Sequence, residues 1–326
     1  PATCRTPSGG ANNVTTGETA MRRDRRNGST GLVSRRRLLK ASVAGLATAS
    51  VGSLWRADSA AAAGEPARAA TKGRIKHSVC AWCFDPMPLE ELARNCAALG
   101  VKSIELVPPK DWPILKKHGL ICALTSSHGF VKGFNDKANH AMCIEKLTEA
   151  IDATSAAGFP NVITFSGFSN GIPRDVGLEN CIEGLKKIVG YAERKKVTLI
   201  FEMLNSRVDV EMKGHPGYQG DDMEWCVEIC KRVGSPRLKV LFDVYHVQIM
   251  QGDLITRIRQ HKEHIGHYHV AGVPGRNELD ENQEINYPAV LRAVVETGFD
   301  GYVAQEFIPT RDPMTSLAEA IRLCDV

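Results

Sequence analysis

From Arg74 onward, short apolar runs rich in β-branched and aromatic residues alternate with longer amphipathic stretches, punctuated by Gly, Pro and Asp. Thr198–Glu202, Leu238–Asp243 and residues 301–306 are largely apolar until a closing acid, the composition of strands buried on both faces. Residues 265–271 instead alternate, which sets His267, His269 and Ala271 on one face and Tyr268 and Val270 on the other. Further strands are expected at 77–82, 103–107, 121–127 and 161–166. Helices are expected over 89–99, 112–118, 139–157, 178–195, 222–233, 253–261, 287–297 and 313–324. Eight strand–helix pairs within residues 74–326 predict one (β/α)8 TIM barrel, a fold of about 250 residues. An open doubly wound sheet would call for a Gly-rich phosphate turn after an early strand, and the sequence has none.

Residues 1–73 read differently. The segment 34–40, Ser-Arg-Arg-Arg-Leu-Leu-Lys, resembles a twin-arginine export motif, followed by an apolar run at 41–55 and small residues at 57–64 that suit a signal peptidase. Met21 is a plausible initiator ahead of it. The expectation is a disordered or cleaved signal segment and an exported, periplasmic protein. The apolar run is too short for a spanning helix of about 20 residues, so no stable membrane span is expected after signal removal.

Charge follows the same division. Residues 1–74 carry 13 Lys and Arg against 4 Asp and Glu, whereas the remainder carries 28 against 33. The net +4 of the chain therefore belongs to the leader, and the mildly acidic body gives no electrostatic case for nucleic acid. Of the ten cysteines most read as free core thiols; a Cys80–Cys83 bridge is the less favoured alternative.

The candidate chemistry lies where strands end. Glu202, Asp243 and Glu306 each close a buried strand, and His269 lies near the end of another. An uncompensated buried carboxylate costs several kcal/mol, so three of them beside an imidazole ask for one shared cation. Three oxygen donors and one nitrogen suit one divalent metal ion, Mn²⁺ or Mg²⁺ favoured, with Co²⁺ and Zn²⁺ compatible. A buried ionic cluster without an ion is the alternative. Around this quartet, His246 and Arg276 are candidate substrate-binding groups; the alternatives are a His that braces Asp243 and a loop ion pair of Arg276 with Glu278. Trp82, Phe84, Trp112 and Phe130 are candidates for an apolar wall, with plain core packing as the other reading. His128, Asn205, Arg207 and His215 are weaker candidates, and 203–219 reads as a lid or substrate loop. His118, His140, His261 and His264 read as surface residues.

Glu202, the Phe-Asp-Val-Tyr-His-Val-Gln segment at 242–248, the Gly-His-Tyr-His-Val-Ala-Gly-Val-Pro-Gly-Arg-Asn-Glu segment at 266–278 and the Gln305-Glu306 pair resemble hydroxypyruvate isomerase and its relatives in the xylose isomerase-like barrel superfamily. The resemblance runs from about residue 74 onward and implies that Glu202, Asp243, His269 and Glu306 bind one divalent metal, with both glutamates moving protons. His269 departs from the Gln that hydroxypyruvate isomerases typically have there and matches the ketose 3-epimerases. The implied function is isomerisation or epimerisation of an α-hydroxycarbonyl substrate, a carbohydrate or hydroxy-keto acid, through an enediolate. A metal-dependent lyase or hydratase of oxidised (3-keto) sugars and a non-catalytic exported carbohydrate-binding barrel are the alternatives. A homo-oligomer is compatible with the sequence.

Overall fold

The computed structural model describes residues 67–326, so the basic segment, its apolar run and Met21 lie outside the described residues. Eight parallel strands, β1 (Lys76–Cys80), β2 (Ser103–Glu105), β3 (Leu124–Thr125), β4 (Asn161–Phe165), β5 (Thr198–Glu202), β6 (Leu238–Asp243), β7 (Ile265–Val270) and β8 (Tyr302–Gln305), form one sheet in the order β2-β1-β8-β7-β6-β5-β4-β3. Its two ends meet where Ile104 N donates to Ile121 O and Leu106 N to Leu124 O, each at 3.0 Å. The result is a nearly closed TIM barrel, as the strand–helix alternation predicts.

The outer layer consists of α1 (Leu89–Leu99), α2 (Trp112–Lys117), α3 (His140–Ala157), α4 (Arg174–Lys195), α5 (Met223–Val233), α6 (Val244–Met250), α7 (Leu254–His261), α8 (Tyr287–Glu296) and α9 (Pro313–Cys324). Their boundaries follow local chemistry. Asp222 caps α5 by accepting from Trp225 N at 2.8 Å, Asp312 caps α9 by accepting from Thr315 N at 2.8 Å, and α1 stops at Gly100, which takes a left-handed φ of +89°.

Three departures from the sequence reading have physical causes. β3 keeps two residues of the expected seven, because Ser103 Oγ takes the hydrogen bond of Ala123 N at 2.8 Å and diverts the ladder there. α6 was not expected. Asp243 ends β6 and at once caps a helix by accepting from Tyr245 N at 2.8 Å and His246 N at 3.2 Å. His140 and His261 are buried rather than superficial; His140 Nε2 sits 2.9 Å from Phe134 O.

Within the barrel, Leu124, Ile163, Phe165, Ile200, Leu204, Tyr218 and Leu241 form an apolar cluster from β3 to β6 and the segments beyond them. On β2 and β7, Glu105, His267 and His269 are fully buried polar residues. The segment after β3 is pressed against the end of β4: a Cβ on Gly133 would lie 2.2 Å from the Ser166 carbonyl carbon, so only glycine fits. At the opposite end of the barrel Asp325 Oδ2 accepts from Thr71 N and Lys72 N at 2.7 and 2.8 Å. The nine cysteines among the described residues are free and buried. No helix among the described residues is long and apolar enough to cross a membrane.

Candidate active site

Four strands deliver four side chains to one point. Glu202 ends β5, Asp243 ends β6, His269 is the penultimate residue of β7, and Glu306 follows β8. One ligand atom from each lies within 4.8 Å of all the others, and all four residues are buried. His269 Nδ1 is 2.9 Å from Glu306 Oε2 and 3.8 Å from Glu202 Oε1. Asp243 uses Oδ1 to cap α6, which leaves Oδ2 buried without a hydrogen-bond partner and facing the cluster. An orphaned carboxylate oxygen, two further carboxylates and an imidazole nitrogen fit a hard divalent cation.

The other edge of His269 is also fixed. Its Nε2 is 3.2 Å from Glu105 Oε2, and His267 Nε2 reaches the same oxygen at 2.9 Å. Burial alone would raise the Glu105 carboxyl, but the charges and hydrogen bonds of the two histidines outweigh it and hold it at about 2. Glu105 therefore accepts from His269 Nε2 and turns Nδ1 toward the carboxylates, the arrangement by which an outer acid orients a ligating imidazole.

Arg276 enters from the turn beyond β7. Gly272 N donates to Asn277 O and Arg276 N to Gly272 O, both at 2.9 Å, and Arg276 takes a left-handed φ of +59°. Such a backbone costs a non-glycine residue on the order of 1–3 kcal/mol and is held here by the loop around it. The guanidinium donates to Glu306 Oε2 at 2.6 Å and to Met212 O at 2.8 Å, and its carbon lies 5.1 Å from the Trp82 ring centroid. Trp82 Nε1 donates to the other Glu306 oxygen at 3.2 Å. These contacts separate the two glutamates. Burial, aided by the charge of Glu306, pushes Glu202 well above the usual carboxylate range. Burial would do the same to Glu306, but His269 and Arg276 overcome it and hold that carboxyl well below.

A cavity of about 550 Å³ opens beside the cluster, lined at one wall by Glu202, Glu306, Arg276 and Trp82. Phe130 and His215 also line it, the latter from the 203–219 loop together with Leu204, Glu211, Met212 and Gly214. Other candidates lie elsewhere. His246 sits behind Asp243, its Nε2 3.5 Å from Asp243 Oδ2, and its Nδ1 accepts from Asn205 N at 3.0 Å. Asn205 Nδ2, 2.7 Å from that same nitrogen, also donates to Lys213 O at 2.9 Å, so Asn205 ties the loop to itself and to His246. His128 is 2.9 Å from Thr164 Oγ1 and packs edge-on against Phe165. Trp112 is remote from this wall: it is buried, donates to Val107 O at 2.9 Å and packs on Phe159. Phe84 packs on Phe307, and Arg207 donates to Ile249 O at 2.9 Å. The sequence reading missed Glu105, although β2 ends on an acid as β5 and β6 do, and placed His267 on the face of His269 without a role.

A nearly closed ring of parallel strands with its polar cluster at their C-terminal ends defines the class of (β/α)8 barrels that carry their chemistry at that rim. Residues 93–325 match the xylose isomerase-like TIM barrel family, and the chain belongs to it. A 2-oxo-tetronate isomerase of Cupriavidus necator is 36% identical over 167 residues, covering 50% of this chain and 60% of that protein. A Homo sapiens protein whose name assigns it provisionally to hydroxypyruvate isomerase is 27% identical over 256 residues, covering 77% of this chain and 86% of its own. Among solved structures, one from Brucella melitensis named as a family 2 AP endonuclease superposes with a TM-score of 0.67 at 27% identity, covering 76% of this chain and 97% of that one.

Proposed function

We propose that this protein is a divalent-metal-dependent isomerase or epimerase that moves a proton next to the carbonyl of an α-hydroxycarbonyl substrate. The observation that carries this reading is the convergence of Glu202, Asp243, His269 and Glu306 within 4.8 Å. The names of the Cupriavidus and human relatives support the same reaction class. The B. melitensis structure's nuclease name does not transfer easily, because the body of this chain is net acidic and the cavity wall carries a single arginine.

The four side chains would hold the ion, Mn²⁺ or Mg²⁺ by donor type, and the ion would supply the positive charge that acidifies the substrate C–H by stabilising the enediolate. Glu202 and Glu306 are the proton-moving pair, since both line the cavity where the substrate would meet the ion. With the bound ion holding its carboxylate ionised, Glu202 would take the proton from carbon. Return to the neighbouring carbon completes isomerisation; return to the opposite face of the same carbon completes epimerisation. Arg276 keeps Glu306 ionised and offers its remaining N–H groups to a substrate oxygen. His246, whose Nδ1 accepts from Asn205 N, carries its hydrogen on Nε2, which lies 3.5 Å from Asp243 Oδ2 without a hydrogen bond to it.

Incubation with Mn²⁺ in D₂O, with hydroxypyruvate and a panel of ketoses, tests this. Deuterium beside the carbonyl, lost on chelation with EDTA, is expected. Loss of a substituent from the substrate would point to the lyase, and binding without exchange to a carbohydrate-binding barrel. Export is part of the same reading and rests on the twin-arginine segment at 34–40; a protein retained in the cytoplasm with that segment uncleaved would remove it.

A further inference from the structure

The relatives named above are called after three- and four-carbon acids, yet the cavity is much larger than such a molecule. About 550 Å³ falls within the range of about 300–1,000 Å³ in which proteins bury drug-sized ligands. Its second wall is a separate aromatic surface. Phe130, Phe165 and His215 stand together there, with Phe130 4.6 Å from His215 and 6.2 Å from Phe165 by ring centroids, and Leu106, Ile163 and Leu204 line the same cavity. His215 adds no positive charge to this wall at neutral pH, because burial and then the Arg276 charge push its imidazole down to about 4.

Charge narrows the ligand further. The charged residues lining the cavity are Glu202, Glu211, Glu306 and Arg276, and the arginine is already engaged with Glu306 at 2.6 Å. A carboxylate or phosphate at the far end of a substrate would therefore meet Glu211, the one cation among the described residues of the lining, Arg276, being paired with Glu306 beside the reacting carbons. An uncharged ring would cover rings and aliphatic side chains instead.

We infer that the aromatic wall of Phe130, Phe165 and His215 is a second subsite, built for an uncharged, apolar-faced extension of the substrate, and that the preferred substrate is a neutral keto-sugar carrying such a substituent rather than a short keto acid. This rests on the proposed reaction only for the placement of the reacting carbons at Glu202 and Glu306. Stacking of a ring on this wall, together with the apolar area it buries, is expected to be worth about tenfold in affinity.

The test is a ladder of probes on the Mn²⁺-loaded protein: hydroxypyruvate, D-fructose and 6-O-benzyl-D-fructose, each followed by calorimetric binding and by deuterium exchange. The benzyl ether is expected to bind about tenfold tighter than fructose, and fructose tighter than hydroxypyruvate. Phe130 is partly exposed at 36%, so Phe130→Ala is expected to fold, and it should bring the benzyl-to-fructose ratio to within about twofold of unity. Equal affinities for the two ketoses in the unaltered protein, or a ratio that survives Phe130→Ala, would overturn the subsite. Exchange on hydroxypyruvate without any gain from the benzyl group would leave the proposed reaction standing while removing this inference. Benzyl-selective binding without exchange would do the reverse.

Discussion

Glu105 Oε2 lies 3.2 Å from Nε2 of His269, on the side of the imidazole opposite the nitrogen that faces Glu202 and Glu306. The carboxylate thus fixes which ring nitrogen points at the cluster. Replacing Glu105 with Leu frees the ring and leaves His267 without its acceptor. Divalent-ion affinity should fall about 10–100-fold, the usual consequence of removing an outer partner of a ligating His, and calorimetric titration of Mn²⁺ would show it. An unchanged dissociation constant would mean that the ring is held by packing alone.

The two glutamates should separate proton transfer from folding. Glu202→Gln keeps the shape but removes the carboxylate proposed as the base, and deuterium incorporation into substrate should drop by about 10²–10⁴-fold with far-UV circular dichroism unchanged. Retention of more than about a tenth of the exchange rate would assign the proton to another group.

Ion binding should also stabilise the fold by mass action. At a free Mn²⁺ concentration of about a hundred times its dissociation constant, the protein should gain about 2.7 kcal/mol, visible as a raised Tm in differential scanning fluorimetry. Asp243→Asn, which alters the residue bearing the orphaned Oδ2, should abolish most of that rise. A rise that is the same in this variant would place the ion elsewhere.

Trp112 is a core residue, 6% exposed and bonded to Val107 O, so its truncation should act on stability and not on the site. Trp112→Ala is expected to cost about 3–5 kcal/mol by chemical denaturation. The Mn²⁺ dissociation constant of the folded fraction should stay within about twofold; a larger change would return Trp112 to the site.

Acid should weaken the molecule through its buried histidines. Burial lowers the His128 imidazole to about 4, against about 6.5 in an unfolded chain, so the unfolded state binds protons first. The stability held by its neutral form is complete above about pH 6.5 and is lost as pH falls from there toward 4. A His128→Gln variant should show a flatter fall of Tm between pH 7 and pH 5 than the unaltered protein. A parallel fall in both would remove His128 as a contributor.

Much of this was legible in the sequence because a strand buried on both faces leaves few choices. Thr198–Glu202 and Leu238–Asp243 have the same limits in the fold as in the apolar pattern, since a terminal acid marks where the strand reaches the polar rim. The alternation around His267 and His269 likewise set both imidazoles on one face. What escaped was tertiary. That Ser103 would intercept an amide from β3 depends on two strands meeting, and that Asp243 would cap a helix without an intervening loop depends on the direction of its side chain. Glu105 carries the same acid-at-strand-end signal as Glu202, but only closure of the ring shows that β2 and β7 face each other across it.

Because one carboxylate oxygen of Asp325 ties down the amides of Thr71 and Lys72, the two margins of the barrel lie side by side. A few flexible residues could join them. A circular permutant, sealed at this point and reopened in an exposed outer loop, should keep every strand neighbour and still gather the rim residues. Assembly of the site would then depend on the ring and not on the order in which its pieces leave the ribosome.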